Sequence, residues 1–407
     1  MTSSPDGRPA VLLIGGSPRA LRQAAATGAR VVLLQPPGWS DPGAADHAHH
    51  IAIVDYTDPD VLPGVARDLH ARYGFTRAVS LTEPGLMPAA LVNEQLGLGG
   101  TPAATVRLLK DKLAMRAHLA AAGLSPVPAA ALGDVTDLAA FAARHGTPAV
   151  VKPVDGVGSL AVVRLDHPGD VDRVWSRARR ATGRPLMAEA YLDGPEISVE
   201  AFTFGPGDHR VLAVTDKVVG ANFVEVGHTV PARLAPGDAA RVEALTVAFL
   251  DAVGLIEGPS HTEIKLTADG PRVVESHNRV GGDKIADLVR LTTGVDPVAL
   301  SFAWPLGLAD RPPAGGTPRS GAAIRFLTPA PGRVLTVRDL DRVRAEPSVV
   351  AAEVTVAPGD VVPELARSDS RAGYVIACAA DADRAAALAQ RHAATITIDT
   401  VPCEASR

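Results

Sequence analysis

The sequence predicts a protein of mixed α/β and α+β class, in which a parallel α/β domain comes first and an α+β domain comes last. Three observations support this prediction. Short apolar runs alternate with helix-type segments over residues 10–100, which is typical of a parallel α/β sheet. Paired apolar runs around glycine turns in the middle of the chain predict β-hairpins. A stretch rich in proline and glycine at 306–321 is typical of a linker, and it separates the C-terminal residues from the rest of the chain.

The composition is that of a globular protein and excludes several functions. The chain has 407 residues, 46% hydrophobic and 21% charged, so two or three domains are expected. A net charge of −5 and 4% aromatic residues argue against nucleic-acid binding. Two cysteines cannot form a disulfide framework. The first apolar run is too short for a signal peptide and no run approaches a membrane span, so we expect a cytoplasmic protein without a membrane partner.

The N-terminal pattern predicts strands that alternate with helices. Strands are predicted at 11–14, 31–34 and 78–81, and a helix at 19–27 follows the Gly15-Gly16 turn. A loop-like stretch then leads into the histidine-rich segment 46–50. Its i, i+2, i+3 spacing is compatible with a metal site, but in a loop this spacing is more typical of solvated side chains.

The rest of the chain mixes helices and strands. Helices are expected at 105–123, 170–182, 238–253 and 383–392, and strands at both ends of 147–165, over most of 186–203 and at 373–378. The helix at 238–253 has the clearest amphipathic spacing, with Val242, Leu245, Phe249 and Val253 on one face.

A glycine turn between two predicted strands suggests a phosphate site. Gly156 and Gly158 belong to a GxGxxA pattern, but a strand follows where a dinucleotide fingerprint needs a helix, so we predict a β-hairpin. Glycines let backbone N–H groups close over a polyphosphate, and the hydroxyl of Ser159 adds a donor. Lys152 ends the preceding strand and can face the same phosphates. The alternative is a surface hairpin with an edge lysine. The sequence lacks the GxxxxGK[ST] pattern of P-loop NTPases.

A second hairpin, with its turn at Asp269 and Gly270, predicts a metal site. If the turn centres on Asp269, Glu263 faces Glu275 across the two strands. The same face would include Lys265, Val273 and His277, and the opposite face Ile264, Leu266 and Val274. Two opposed carboxylates destabilise a sheet unless a cation lies between them, and Mg²⁺ prefers carboxylates together with substrate phosphates. The alternative is a solvent-facing edge that tolerates the pair.

The extended run at 187–200 is interrupted at Gly194-Pro195, as expected for a connector between two lobes. Extended backbone offers N–H and C=O groups to the edge of a purine, and Glu196 is suited to hold ribose hydroxyls. An ordinary interdomain strand is the alternative.

Taken in order, these segments resemble the nucleotide site of the ATP-grasp enzymes over residues 10–310, and the tail resembles the C-terminal domain of biotin-carboxylase-related members. The resemblance implies an N-terminal pre-ATP-grasp domain at 1–104, a two-lobed ATP-grasp domain at 105–310 with a mobile lid at about 128–203, and a C-terminal domain at 311–407. The ATP-binding residues that it implies are Lys112, Lys152, Gly156, Gly158, Ser159, Glu189, Ala190, Leu192 and Glu196. It further implies Mg²⁺ or Mn²⁺, two ions being expected, and catalytic roles for Arg279, Glu275 and Lys152.

Within that superfamily, residues 262–266 together with Glu275 and Arg279 are similar to the L-amino-acid ligases, which join two amino acids into a dipeptide. One position departs from the pattern. The superfamily often has Glu-x-Asn-x-Arg, whereas this chain has His277 and Asn278 between Glu275 and Arg279. His277 takes the second ligand position beside Glu263 and Glu275, or Asn278 takes it after a local shift, or neither does. A histidine ligand would favour Mn²⁺ over Mg²⁺.

Two segments are expected on the acceptor side of the site. Residues 222–228 form a predicted loop in which Glu225 would hold an ammonium group and His228 would orient or deprotonate it. The alternative is a salt-bridged loop. Gly281 and Gly282, beside Arg279, would bind a carboxylate or phosphate before a predicted helix at 284–293, the alternative being a plain Asp283 cap.

The resemblance implies an ATP-dependent ligase that joins a small-molecule carboxylate to an amine through an acyl phosphate and releases ADP and phosphate. A biotin-carboxylase-like enzyme that activates bicarbonate is one alternative, and a non-catalytic nucleotide-binding protein is another. The sequence identifies neither the acid nor the amine. A homodimer is the default expectation for a soluble enzyme.

Overall fold

The N-terminal part of the chain forms a parallel sheet with helices between its strands, as predicted. The computed structural model describes residues 7–156, 158, 160–220, 223–313 and 320–403. The first elements are β1 (Ala10–Ile14), α1 (Pro18–Ala26), β2 (Arg30–Gln35), β3 (His50–Ile53), α2 (Leu62–Tyr73), β4 (Arg77–Val79) and α3 (Glu83–Leu96). The strand order is β3-β2-β1-β4, so α3 begins at the carboxyl edge of this sheet.

The histidine-rich segment 46–50 ends in β3, a strand that the sequence pattern did not reveal. The ring of His50 stacks on that of Tyr73 with centroids 4.9 Å apart, and His49 meets the same tyrosine edge-on at 5.9 Å. Among the described residues no group of three metal-ligating side chains forms in this segment. These histidines therefore pack against α2.

The helix predicted at 105–123 is in fact two helices, α4 (Ala103–Lys110) and α5 (Lys112–Ala121). Asp111 breaks them apart, because it has extended backbone angles and its carboxylate accepts a hydrogen bond from the amide of Ala114 at 2.8 Å. The prediction of one continuous helix was wrong. The break places Lys112 in the first turn of α5.

A four-stranded antiparallel sheet follows, covered on one face by two helices. It contains β5 (Ala129–Leu132), β6 (Ala149–Pro153), β7 (Val163–Leu165) and β8 (Leu186–Ala190), with α6 (Val135–His145) and α7 (Val171–Ala181) packed against it. The strand order is β5-β8-β6-β7. The glycine turn lies between β6 and β7, as the sequence predicted.

An eight-stranded antiparallel sheet forms the centre of the molecule. Its strands are β9 (Glu196–Thr203), β10 (His209–Val219), β11 (Glu225–Val230), β12 (Gly258–Thr267), β13 (Gly270–His277), β14 (Gly321–Phe326), β16 (Val349–Val354) and β18 (Gly373–Ala379). The order is β13-β12-β9-β10-β11-β14-β18-β16. Three strands of the C-terminal segment therefore continue the sheet that holds the Glu263–Glu275 pair.

The remaining elements surround this sheet. They are α8 (Pro236–Ala252), α9 (Ile285–Thr293), α10 (Pro297–Ala303), α11 (Leu340–Arg344), α12 (Ala382–Thr395) and a three-stranded sheet of β15 (Gly332–Arg338), β17 (Val361–Val362) and β19 (Thr397–Val401). The predicted helices at 238–253 and 383–392 are confirmed. Within the described ranges, every helix falls short of the length and apolarity that a membrane span requires.

Candidate active site

The hairpin of β12 and β13 brings two carboxylates together. Glu263 and Glu275 are register partners in these antiparallel strands, as predicted. The turn, however, lies between the paired residues Thr267 and Gly270, which puts the strands one residue out of the predicted register near the turn. A bulge beside Glu263 restores the pairing of the two glutamates.

The bulge reverses the faces of two valines relative to the prediction. Val273 is fully buried in a core cluster with Met115 and Phe249, whereas Val274 lines a cavity beside Glu275. The predicted faces of Val273 and Val274 were therefore wrong, because one extra residue in a strand inverts the alternation of its side chains.

Arg116 of α5 holds the bulged strand in place. Its side chain is 2% exposed. It donates from Nη1 to the carbonyl of Val273 and from Nη2 to that of Val274, the second at 3.1 Å. Its Nε lies 2.9 Å from Oε2 of Glu189 at the end of β8. Sequence analysis missed Arg116, although a basic residue next to the buried Met115 in an amphipathic helix was an available signal.

Two of the predicted lysines pair with the predicted carboxylates. Lys112 Nζ lies 3.0 Å from Oε2 of Glu275 and also donates to the carbonyl of Gly156. Lys152 Nζ lies 2.5 Å from Oε1 of Glu189. Burial lowers the pKa of Lys152, while Glu189 opposes that shift. Burial favours the neutral form of Glu275, but Lys112 and then His277 hold its pKa well below the ordinary value. Glu189 and Glu275 are therefore both carboxylates at neutral pH.

Lys217 of β10 is a further cation, which sequence analysis did not assign to the site. Its Nζ lies 2.5 Å from Glu196, 2.8 Å from Glu263 and 3.1 Å from Glu225. Burial alone would lower the pKa of Lys217, but Glu263, Glu196 and Glu225 raise it well above its usual value. The lysine thus occupies the centre of three carboxylates whose oxygens lie within 4.8 Å of one another. Only strand pairing brings these residues together, so the sequence offered little signal.

A cavity of ≈ 790 Å³ lies between the four-stranded antiparallel sheet and the central eight-stranded sheet. Its lining includes most of the predicted nucleotide and metal residues, namely Lys112, Lys152, Gly156, Gly158, Glu189, Leu192, Glu196, Glu263 and Glu275. Its apolar lining includes Val150, Leu160, Val162, Phe223 and Val274. An apolar wall with a few convergent polar groups is typical of a cofactor-sized site.

A second cavity of ≈ 800 Å³ adjoins the first, because both are lined by Glu225, Glu263 and Glu275. Most of its described lining residues carry charged or polar side chains, the exceptions being Ile285 and two glycines. The other predicted residues that it contains are His228, His277, Arg279 and Gly282. The site is therefore a pair of cavities that meet at the two opposed glutamates.

Three predicted residues lie elsewhere or outside the described residues. Ala190 does not line the first cavity, and its N–H donates to the carbonyl of Pro128 at 2.9 Å. Gly281 lines a small separate cavity of ≈ 210 Å³ and packs against Glu200 and His261. Neither residue therefore lines either of the two larger cavities, and their roles in ligand binding stay predictions. Ser159 lies outside the described residues.

His277, and not Asn278, is the residue beside the paired glutamates. Its Nε2 lies 3.2 Å from Oε1 of Glu275, and its Nδ1 lies 2.8 Å from Oε1 of Glu83. Asn278 lines a different cavity, next to Arg77, and its Oδ1 has no hydrogen-bond partner among the described residues. His277 is the last residue of β13, whereas Asn278 lies in the bend that follows the strand.

Glu83, the first residue of α3, was not predicted as a site residue. It lines the second cavity, and Arg279 Nε lies 2.6 Å from its Oε1. Burial raises the pKa of Glu83, but His277 and Arg279 lower it well below its usual value overall. The N-terminal sheet thus supplies an ionised carboxylate to a cavity built mainly by the central sheet. The signal in the sequence was an acidic residue directly after a strand of a parallel sheet.

Glu225 and His228 lie in the strand β11, so the predicted loop was wrong there; Asn222 falls outside the described residues. The strand forms because it pairs with β10 on one side and β14 on the other. His228 is 1% exposed, and its Nε2 lies 3.2 Å from Oδ2 of Asp283. Asp283 does not cap the next helix, since α9 begins at Ile285 after Lys284.

The donor set fits a nucleoside triphosphate with divalent ions. Glu263 and Glu275 offer the hard oxygen ligands that Mg²⁺ prefers, and the imidazole of His277 adds a nitrogen ligand. Lys112 and Lys152 line the same cavity and can neutralise phosphate oxygens.

Comparisons with protein families agree with this geometry. Residues 21–100 match the ATP-grasp N-terminal domain, residues 145–287 match the ATP-grasp domain, and residues 325–401 match the L-amino acid ligase C-terminal domain 2. An uncharacterised protein of Sinorhizobium fredii is 29% identical over 376 residues, with 89% of this chain and 76% of that protein covered. Human carnosine synthase 1 is 26% identical over 260 residues. That match covers 58% of this chain, which spans about a third (31%) of that enzyme's length.

Solved structures share the fold. The L-amino acid ligase from Bacillus licheniformis superposes with a TM-score of 0.83 at 22% identity, over 97% of this chain and 99% of that one. A biotin carboxylase domain from Hydrogenobacter thermophilus superposes with a TM-score of 0.73 at 18% identity, over 96% and 91% of the two chains. The chain therefore belongs to the ATP-grasp ligases and has a C-terminal domain of the L-amino acid ligase type.

Proposed function

We propose that this protein uses ATP to join two small molecules, the carboxyl group of one amino acid and the amino group of another. The observation that supports this is the meeting of two cavities at Glu263 and Glu275. One cavity has the apolar wall and the lysines that a nucleotide needs, and the other is polar and large enough for two small substrates. The named relatives, carnosine synthase among them, are consistent with such a reaction.

In the proposed reaction, an oxygen of the substrate carboxylate attacks the γ-phosphorus of ATP and ADP leaves. The amine nitrogen then attacks the carbonyl carbon of the acyl phosphate, phosphate leaves, and the nitrogen loses a proton. Lys112 and Lys152 neutralise charge on the phosphoryl group, which is the largest contribution to catalysis in such transfers. Divalent ions held by Glu263, Glu275 and His277, two in number, would add to that neutralisation. Arg279 orients the acyl phosphate.

The acid and the amine approach from different walls of the second cavity. Glu83 is ionised and lies beside Arg279, so it is suited to the α-ammonium group of the acid substrate while the guanidinium turns to the carboxylate. Glu225 and His228 line the opposite part of the cavity and receive the attacking amine. Gly282 offers backbone near Arg279 for phosphate or carboxylate.

Closure of a lid within the predicted range of about 128–203 would protect the acyl phosphate from water. The moving part would be the four-stranded sheet with α6 and α7, because β9 at the end of that range belongs to the central sheet. Lys152, Gly156 and Glu189 belong to this segment, whereas Glu263 and Glu275 belong to the central sheet. The contact of Lys112 with the carbonyl of Gly156 links the two parts. Nucleotide phosphates bound between them would replace that contact with stronger, charge-assisted ones.

A direct test measures ADP and phosphate release with ATP and Mg²⁺ in the presence of the twenty amino acids, singly and in pairs, with products identified by mass. Release that depends on a pair, with a product at the summed mass minus one water, would support the proposal and identify both substrates. Release with bicarbonate alone would favour the carboxylase alternative. Nucleotide binding without turnover under any of these conditions would favour the non-catalytic alternative.

A further inference from the structure

The C-terminal segment reaches into the second cavity through a short stretch just before β18. Ser368 lines the cavity. Arg371, three residues later, has a side chain only 9% exposed. Its guanidinium lies over the ring of Phe326 at the end of β14, 3.6 Å from the ring centroid. A buried arginine stacked in this way has few alternative positions, because both its charge and its plane are satisfied by its neighbours.

The guanidinium of Arg371 contacts three groups near the proposed acceptor residues Glu225 and His228. Its Nη2 lies 2.5 Å from Oδ1 of Asp283 and its Nη1 lies 2.7 Å from Oδ2, which is a bidentate pair. Nη1 also donates to the backbone carbonyl of Glu225 at 3.1 Å. Nε donates to the carbonyl of Ser368 at 2.5 Å, which closes the stretch from 368 to 371 on itself.

Asp283 transmits this anchoring to His228. Its Oδ2 lies 3.2 Å from His228 Nε2, so the carboxylate joins the guanidinium to the imidazole. Asp283 and Lys284 both have positive φ, 52° and 64°, a conformation that non-glycine residues adopt only when their surroundings hold them. The ion pair with Arg371 supplies such a restraint at Asp283. Without it, the backbone between Gly282 and Ile285 is expected to relax and to move the carboxylate.

The other charged groups around His228 do not replace this arrangement. Lys217 is its register partner on β10 and is committed to Glu196, Glu225 and Glu263. Arg325 on β14 donates to the backbone carbonyl of His228 and not to its ring. Among the described residues, Asp283 is the hydrogen-bond partner of the His228 ring, and Arg371 is the cation that fixes Asp283.

We propose that Arg371 is a positioning residue for the amine half of the reaction: it holds Glu225 directly, and His228 through Asp283, in the geometry that receives the acceptor amine. This inference rests on the proposed ligase function. It assigns to the C-terminal domain a part in the second step, attack by the amine, and none in the first step, transfer of the phosphoryl group. Among the described residues, the hydrogen bonds of Arg371 reach Asp283, Ser368 and Glu225, and of these three only Glu225 lines the nucleotide cavity.

Hydroxylamine separates the two steps. It is a small, unprotonated nucleophile at neutral pH, so it traps an acyl phosphate as a hydroxamate without an acceptor site. We would compare hydroxamate formation from ATP, Mg²⁺, hydroxylamine and a mixture of the twenty L-amino acids with dipeptide formation from the same mixture without hydroxylamine. Arg371→Met should lower dipeptide formation by about 10²-fold, as expected when a reacting group is misplaced, and leave hydroxamate formation unchanged. Arg371→Lys keeps the charge but not the bidentate geometry, so its loss should be intermediate.

The controls make each outcome decisive. Arg338→Met removes an arginine that pairs with Asp399 in the small three-stranded sheet, away from the site, and should alter neither product. Asp283→Asn removes the same ion pair from its other side without changing size, so it must show the same selective loss. If both of these variants fold poorly, Arg371→Lys, which keeps the charge, must still lose more dipeptide than hydroxamate. Equal loss of hydroxamate and dipeptide in the folded variants would overturn the inference, as would no loss of either. A wild-type protein that forms no hydroxamate and releases no ADP would overturn the proposed function itself.

Discussion

Replacement of Arg116 by methionine tests whether one buried side chain sets the geometry of the hairpin that carries the proposed metal ligands Glu263 and Glu275. Methionine keeps the apolar contacts of α5 but removes the hydrogen bonds to the carbonyls of Val273 and Val274 and the ion pair with Glu189. A buried acceptor left without a donor costs about 1–3 kcal/mol, and removal of one partner from a buried ion pair costs about 3–5 kcal/mol. Because Lys152 still lies 2.5 Å from Glu189, we expect a loss of about 3 kcal/mol in the free energy of unfolding.

Urea unfolding followed by circular dichroism measures this loss, and titration with a fluorescent ATP analogue measures nucleotide affinity. Affinity should fall as well, since the bulge determines that Val274 and Glu275 face the cavity. Arg22→Met is the matched control, because Arg22 is an exposed arginine of α1. An Arg116→Met protein as stable as Arg22→Met would refute the reasoning.

Three further predictions concern Glu275, its neighbour His277, and Asp283. Glu275→Gln should lower ADP release by about 10²–10³-fold, the usual cost of one electrostatic group in a transition state, with unchanged circular dichroism; undiminished release would contradict the metal assignment. His277→Asn should lower the ratio of Mn²⁺- to Mg²⁺-supported activity and weaken Mn²⁺ binding measured by electron paramagnetic resonance, whereas equal values in both proteins would argue against a nitrogen ligand. Burial raises the pKa of Asp283, but Arg371 and His228 lower it overall below the ordinary 3.8. Its charge thus stabilises the folded state above that pH and loses this effect as the pH falls, so Asp283→Asn should destabilise strongly at pH 7 and progressively less below pH 3.8 in urea unfolding; a loss that does not depend on pH would show that the charge is not the cause.

Much of the site was predictable because its chemistry depends on local patterns. The opposed pair of Glu263 and Glu275 follows from an Asp-Gly turn and the two-residue repeat of a strand. Lys152 and the glycine turn follow from one apolar strand and the glycines after it. In each case the residues that meet are close in the sequence, so alternation and turn chemistry are enough to bring them together.

The errors lie where local pattern and long-range packing compete. A period of two predicts that Val273 shares the face of Glu275, but Arg116, 157 residues away along the chain, stabilises a bulge that reverses it. The stretch before His228 has loop-like residues, yet β10 and β14 pair with it on both sides and make a strand. Asp111 interrupts an otherwise helical apolar pattern, because capping α5 stabilises the break more than continuation would.

By itself, the sequence determined the class of fold, the order of its elements, the nucleotide-type hairpin and the facing glutamates, since these depend on periodicity and on turns between neighbours. The tertiary structure alone decided which charges meet. Glu83 beside the parallel sheet, Lys217 from the central sheet and Ser368 from the C-terminal segment meet at one cavity only after the sheets have packed. Their separations along the chain leave no periodic trace, and the free energy that holds them together comes from burial and ion pairing in the folded state.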